Sequence, residues 1–346
     1  MQLVAYGAQD AFLTGNPEIT FFKVVYRRHT NFAMESIVQD FNGNGKRVTA
    51  TISRNGDLIT NCWLEGCKSA VLTTLVDGTV ARGEDGEVDT VVGADSRIRG
   101  TDLIESIDLE IGGQRIDKHY GDWMDIWSEL SCPKNKKGGK DNMNTNGTVP
   151  LEFFFCRNPG LALPLIALQY HEVKLTFNLK ENADSADSGL RLYVDYIYLD
   201  TDERRRFAQV QHNMLIDQLQ QQDGNDSGSI RLNFNHPCKE LVWTAAGANK
   251  TTLKLNGHDR FSERTPEYFT QVQKYQHHTN CPAVSGRVNV YSFALKPEEH
   301  QPSGTCNFSR IDNAALKTEN DVDKVYAVNY NVLRIMSGMG GLAFSN

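Results

Sequence analysis

No apolar run in this chain approaches the ~20 residues that a helix needs to cross a bilayer. The nearest candidate, Leu161 to Leu168, is interrupted by Pro164. The opening of an exported protein is missing as well: Met1 to Gly7 has neither a basic stretch nor an apolar core of leader length, so no leader is expected. Positive charge is not in excess. A formal net charge of −7 over 346 residues argues against a DNA-coating role, because neutralising phosphates takes a basic surface. Cysteine occurs without a disulfide pattern. Seven thiols, an odd number at scattered spacings, point to reduced side chains rather than a bridged framework. Even the nearest pair, Cys62 and Cys67, reads as two buried thiols.

The motifs of common chemistry are missing too. Gly43-Asn44-Gly45-Lys46 lacks the spacing of a phosphate loop and the hydroxyl that would hold magnesium. Gly338-Met339-Gly340-Gly341 follows a strand pattern, but too little sequence comes after it for the helix of a dinucleotide fold. There is no GxSxG elbow and no HExxH pair. His277-His278 is the best metal candidate. On a strand, adjacent residues point to opposite faces, so the two would not share one ion. Asp102 with Glu105, and Asp122 with Asp125, could form acid/base pairs, but neither has a histidine or a pocket motif beside it. They read as a polar strand edge and a solvated helix face. The sequence therefore assigns no catalytic, cofactor-binding or metal-binding residue.

What it does contain is strand. Ile107, Leu109 and Ile111 alternate with Asp108 and Glu110, the pattern of a strand with one buried face. Leu190, Leu192, Val194, Tyr196 and Tyr198 share one face of another, and Val288 to Leu295 and Val325 to Met336 follow suit. Turn clusters separate these runs at Asn42 to Gly45, Asn55 to Asp57, Asp184 to Gly189 and Asp223 to Gly228. Many strands at short spacing predict β-sandwiches rather than a βαβ fold. Only Gly121 to Leu130 has helical spacing, with Trp123, Ile126, Trp127 and Leu130 on one side, as for a helix packed on its own domain.

Two echoes run through the chain. LEIGGQRI (Leu109 to Ile116) resembles LKLNGHDRF (Leu253 to Phe261), and an aromatic segment follows each. FFFCRNP (Phe153 to Pro159) parallels YSFALKP (Tyr291 to Pro297). The offset of roughly 140 residues is a domain-scale repeat rather than a solenoid period. Two similar β-domains in tandem are expected, parting near Asp200 to Gln211. There, Asp202-Glu203 and Arg204-Arg205-Arg206 suggest a salt-bridged corner rather than a nucleic-acid patch.

Near the N-terminus, Phe12 to Phe32 (FLTGNPEITFFKVVYRRHTNF) combines a Gly-Asn-Pro turn, a strand-like run from Ile19 to Tyr26 and a basic stop at Arg27-Arg28-His29. This block resembles the start of the major capsid proteins of nucleocytoplasmic large DNA viruses, in particular the algal-virus, chlorovirus-like branch. Further blocks follow in the family's order: Ile52 to Thr60 (ISRNGDLIT, similar to an early hairpin), Ile111 to Asp117 (IGGQRID) and Asp200 to Phe207 (DTDERRRF). Gln301 to Asn313 (QPSGTCNFSRIDN) and Tyr330 to Asn346 (YNVLRIMSGMGGLAFSN) complete the series.

The resemblance implies an all-β double jelly roll, two eight-stranded antiparallel sandwiches with short helices in the connections. Residues 1–208 would hold an N-terminal segment and the first roll, and 209–346 the second. It further implies a structural capsid protein and no enzyme. Three copies would form a pseudo-hexagonal capsomer that tiles an icosahedral shell beside neighbouring capsomers. The partners implied are minor capsid proteins beneath the shell, the inner membrane only indirectly, and no nucleic acid directly. No cofactor is implied. The location would be the virion, after synthesis and assembly in host cytoplasm. Met1 to about Asn31 would face inward, its aromatic run partly core and partly contact. The links between Trp243 and Lys254 and between Leu316 and Val325 are shorter than in relatives, implying a flatter outer surface. A minor capsid paralogue, a carbohydrate-binding β-sandwich and a metal-dependent jelly-roll enzyme are the alternatives. Asn-x-Ser/Thr tripeptides begin at Asn146, Asn225, Asn249 and Asn307, but in a cytosolic chain they are poor guides to glycosylation.

Overall fold

Strands that alternate buried and more exposed residues lie beside strands buried along most of their length, and the strands pair in one pattern repeated twice. The computed structural model describes residues 7–43, 45–67, 99–180, 189–225, 228–245, 250–281, 288–319 and 321–344. By compactness the chain divides into Met1–Asn31 and Phe32–Asn346.

In the first unit, helix α1 (Ala11–Thr14) is entered at Asp10, whose carboxylate accepts from Gly7 N at 2.6 Å. Asn16 takes a positive φ of 50°, as the Gly-Asn-Pro turn predicts. The strand expected from Ile19 to Tyr26 does not form. Strand propensity expresses packing on neighbouring strands, and these residues pair with no strand of the described residues. Phe21 is 89% and Phe22 97% exposed.

In the second unit, the first sandwich comprises β1 (Phe32–Gln39), β2 (Phe41–Asn42), β3 (Arg47–Thr51), β4 (Leu58–Glu65), β5 (Ile104–Ile111), β6 (Gln114–Tyr120), β7 (Val149–Pro150), β8 (Leu163–Pro164), β9 (Val173–Leu179) and β10 (Arg191–Leu199). One sheet runs β1-β10-β4-β7, with β8 also on β4; the other runs β2-β3-β9-β5-β6. The second sandwich comprises β11 (His212–Asp223), β12 (Ser229–Leu232), β13 (Pro237–Ala245), β14 (Thr251–Leu255), β15 (His258–Asp259), β16 (Val288–Ser292), β17 (Cys306–Asn307), β18 (Ala314–Thr318), β19 (Val322–Met336) and β20 (Met339–Leu342). Its sheets run β11-β19-β13-β16 and β12-β18-β14-β15.

Setting aside the short β2, which folds back on β3, and β20, which folds back on β19, and counting β7 with β8 and β16 with β17 as single interrupted strands, both sandwiches have the orders 1-8-3-6 and 2-7-4-5. Two interlocked Greek keys of this kind make a jelly roll, so the fold is a double jelly roll. One of the two sequence echoes occupies matching places, whereas Phe153 to Pro159 lies on a helical turn and Tyr291 to Pro297 begins in a strand. Leu109 to Ile116 and Leu253 to Phe261 are the hairpins joining the fourth and fifth strands. At the first, Gly112 and Gly113 have φ of 59° and 81°, the two positive values that a tight primed hairpin turn requires. Ile52 to Thr60, by contrast, is no hairpin. β3 pairs with β9 while β4 pairs with β10, so this block crosses between sheets.

The helices depart further from expectation. α2 (Gly121–Ser131) is where periodicity places it, but α3 (Lys134–Thr145), α4 (Phe154–Arg157) and α5 (Thr201–Gln209) were not expected. The arginine triplet lies on α5, which Asp200 caps through its side chain at Thr201 N, 2.7 Å away. α6 (Gln273–His277) continues a turn of π-helix, Tyr268–Val272. His277-His278 therefore ends a helix and does not lie on a strand.

Candidate functional site

The seam between the two rolls carries the most elaborate chemistry in the described residues. α2 buries Trp123, Ile126, Trp127 and Leu130, but not on its own sandwich as expected. They pack on Leu219, Val242, Val290, Tyr326 and Val328, the outward face of the second roll's β11-β19-β13-β16 sheet. Trp123 lies 5.2 Å from Tyr326 between ring centroids. Met124 points the other way, into the core of the first roll. The helix therefore serves as a wedge between rolls, with one residue held at home and a four-residue stripe delivered to the neighbour.

Polar groups fix its angle. Asp122, in the first turn of α2, meets Lys324 of β19 at 2.6 Å. Asp125 accepts from Thr101 Oγ1 at 2.9 Å and from Asn144 Nδ2 at 3.2 Å, and burial pushes its carboxyl up. Arg157 stacks over the Trp127 ring at 4.1 Å and reaches Asp217 of β11 at 3.9 Å. Asp217 is also held by the buried Lys239, 3.2 Å away. Leu219 N donates to Asp117 Oδ1 at 3.0 Å, so a strand of each roll shares one carboxylate.

The acid/base candidates thus resolve into structural partners. Asp122, still half exposed, pairs across the seam with Lys324, Asp125 is held within the first roll by Thr101 and Asn144, and Asp102 accepts from Arg99 N at 3.0 Å. Glu105 is exposed at the start of β5. His278 is buried between Glu240 and Glu298, while His277 contacts the Leu295 carbonyl. Among the described residues, no three His, Cys, Asp or Glu side chains are grouped to hold a metal ion. All seven cysteines are free thiols. Asn146, Asn225 and Asn307 are exposed, and Asn249 lies outside the described residues. Sequence reasoning found the α2 stripe but missed its destination. Arg157 and Asp217 carry no local pattern that could have flagged them.

The outward face of the first roll's β1-β10-β4-β7 sheet is differently dressed. Val38, Tyr193 and Trp63 stand in register across β1, β10 and β4. Tyr193 and Trp63 stack at 5.6 Å, and the Trp63 indole donates to Glu65 Oε1 at 3.1 Å. Phe32, Met34 and Val38 are 50%, 53% and 46% exposed on the edge strand. Apolar rows open to solvent in this way mark contact surfaces.

Comparison with known proteins agrees with this picture of a molecule built for contact. Residues 20–200 match the family described as the major capsid protein N-terminus. Residues 244–341 match the large eukaryotic DNA virus major capsid protein family. The chain is 52% identical to the major capsid protein of Pyramimonas orientalis virus, over all of this chain and 99% of that protein. It is 42% identical to that of Paramecium bursaria Chlorella virus 1, with the same coverage. Among solved structures, VP54 of PBCV-1 superposes with a TM-score of 0.77 at 37% identity, covering 94% of this chain and all of that one. The Faustovirus major capsid protein shares the fold, with a TM-score of 0.71 at 12% identity. These relatives are structural proteins of virus shells, not enzymes. The chain belongs to the major capsid proteins of the large eukaryotic DNA viruses.

Proposed function

We propose that three copies of this chain assemble around a threefold axis into a capsomer of pseudo-hexagonal outline, which tiles the icosahedral shell of a large DNA virus. The observation that carries this is the repeated strand order. Two lobes of one topology in each chain give a trimer six similar lobes, so a threefold object presents a nearly sixfold rim. Contacts within the trimer are extensive and apolar, and those between capsomers smaller and more polar.

The lobes part at 208/209, giving 1–208 and 209–346. This is supported by the position of α5 between the last strand of one roll and the first of the next. The N-terminal segment faces inward, towards minor capsid proteins, with the membrane reached only through them. Its exposed Phe21 and Phe22 support a contact role. The acidic net charge of −7 fits a shell that leaves the genome to other proteins. Assembly takes place in host cytoplasm, and the product resides in the virion.

The outer surface is plain. β13 is followed closely by β14, and β18 by β19. The alignment to the Pyramimonas orientalis virus protein runs to 412 positions against 346 residues here. Light scattering on the purified chain tests the reading. A mass near three times 38.8 kDa is expected, and a monomer persisting at high concentration would overturn it.

A further inference from the structure

Among the described residues, the contact that joins the two rolls within one chain has a second helical segment and a second sheet face that are not joined in the same way. Within the chain, the helical segment after the fifth strand of the first roll, α2, lies on the outward face of the second roll's sheet. The second roll has a helical segment at the same place, Tyr268–Val272 running into α6. A single sequence offset relates the two. It carries Met124, buried in the first roll's core, to Phe269, buried in the second roll's core. The same offset carries Trp127 to Val272 and Leu130 to Tyr275. Trp127 and Leu130 are buried against the second roll, whereas Val272 is 40% and Tyr275 81% exposed. It also carries Asp122, which pairs with Lys324, to the exposed Glu267.

The receiving face repeats as well. β10 and β19 hold the same position in their sheets. In β19, Lys324 and Tyr326 face α2; Tyr326 lies beside Val242 of β13 in register. In β10, Arg191 and Tyr193 stand at the same spacing, with Tyr193 beside Trp63 of β4. Arg191 is exposed; Met143 of α3 borders Trp63 across a cavity, but Tyr193 and Trp63 belong to no buried cluster of the described residues such as the one that joins α2 to Tyr326.

We infer that the Val272–Tyr275 face of one copy docks on the Trp63–Tyr193 face of a second copy, with Glu267 meeting Arg191, so that the contact between chains imitates the contact within the chain. The occupant is another copy because the chain carries both halves of the contact, complementary in charge, and satisfies each kind only once internally. A surface that pairs head to tail in this way must close into a ring or grow into a filament. This inference rests on the trimer proposed above, which is the ring that it closes, and it assigns the residues of that interface. The aromatic Tyr275 against stacked Trp63 and Tyr193 is the kind of anchor that dominates interface energies.

Three variants and one double variant test it, each followed by light scattering, far-UV circular dichroism and thermal melting. Tyr275→Asp alters a side chain that is largely exposed and outside the core, so folding is retained and the mass falls to 38.8 kDa at micromolar concentration. Arg191→Glu and Glu267→Arg each raise the concentration at which the trimer dissociates by about tenfold or more, because like charges then face one another. Combining the two restores assembly to within about threefold of the parent, which a merely structural role for either residue would not do. A trimeric parent whose assembly is unmoved by Tyr275→Asp, or a double variant weaker than both singles, overturns this interface and leaves the trimer standing. A monomeric parent overturns the trimer itself, and the interface with it.

Discussion

His278 shows how much a single residue can hold in this fold. Its Nδ1 lies 2.9 Å from Glu298 Oε1, and its Nε2 lies 3.0 Å from Glu240 Oε2. Burial alone would lower its pKa; the two carboxylates outweigh it and raise the imidazole to about 9. A folded-state value above the unfolded one stabilises the protein fully below about pH 6.5, and that stabilisation is lost as pH rises through about 9. Thermal melting from pH 7 to 10 is expected to show a progressive fall in Tm that His278→Gln removes; an equal fall in that variant would contradict the assignment. The same substitution leaves Glu240 buried opposite a neutral side chain, at a cost of about 3–5 kcal/mol at neutral pH, measurable by urea unfolding. In the sequence, His277-His278 was legible only as a possible metal pair. Its real partners come from β13 and from the loop after β16, far away in the chain, and no local spacing announces them.

Among the elements, α2 is the one on which both rolls depend. Trp127 packs on the second roll and beneath Arg157, so Trp127→Ala removes a buried ring at the seam and should cost about 3–5 kcal/mol. If α2 joins the rolls energetically, calorimetry of this variant shows the single parent transition separating into two; a uniform downward shift would argue against coupling through α2. Gly112→Ala should cost about 1–3 kcal/mol in urea unfolding, since the residue needs a positive φ and a Cβ there would strike the His171 ring. Much at this scale was readable beforehand. The alternation of Ile107, Leu109 and Ile111 placed β5. α5 carried its own signal in the Asp200 cap and the acidic first turn, although the arginine triplet drew notice instead. Ile52 to Thr60 misled because a turn is local chemistry, whereas the choice between pairing back and crossing to another sheet depends on β9 and β10. Ile19 to Tyr26 misled for a related reason: apolar residues on both faces need two layers of partners, and the strand-like composition came without them.

For the whole molecule, the weak echo at domain scale was the most informative sign of architecture, and the repeated strand order accounts for it. What remained hidden was the way the rolls face one another. That depends on contacts such as Arg157 with Asp217 and Asp117 with Leu219 N, which pair residues with no sequence relation. In the assembly proposed above, the same duplication leads from one chain to a ring, because a contact made once between rolls leaves, among the described residues, one helical segment and one sheet face for other copies to satisfy. Electron microscopy of the purified oligomer, averaged in the view along its symmetry axis, tests this most directly. The account predicts a ring of six similar lobes with hexagonal outline and threefold symmetry. Single two-lobed particles, or rings with any other number of lobes, would contradict it.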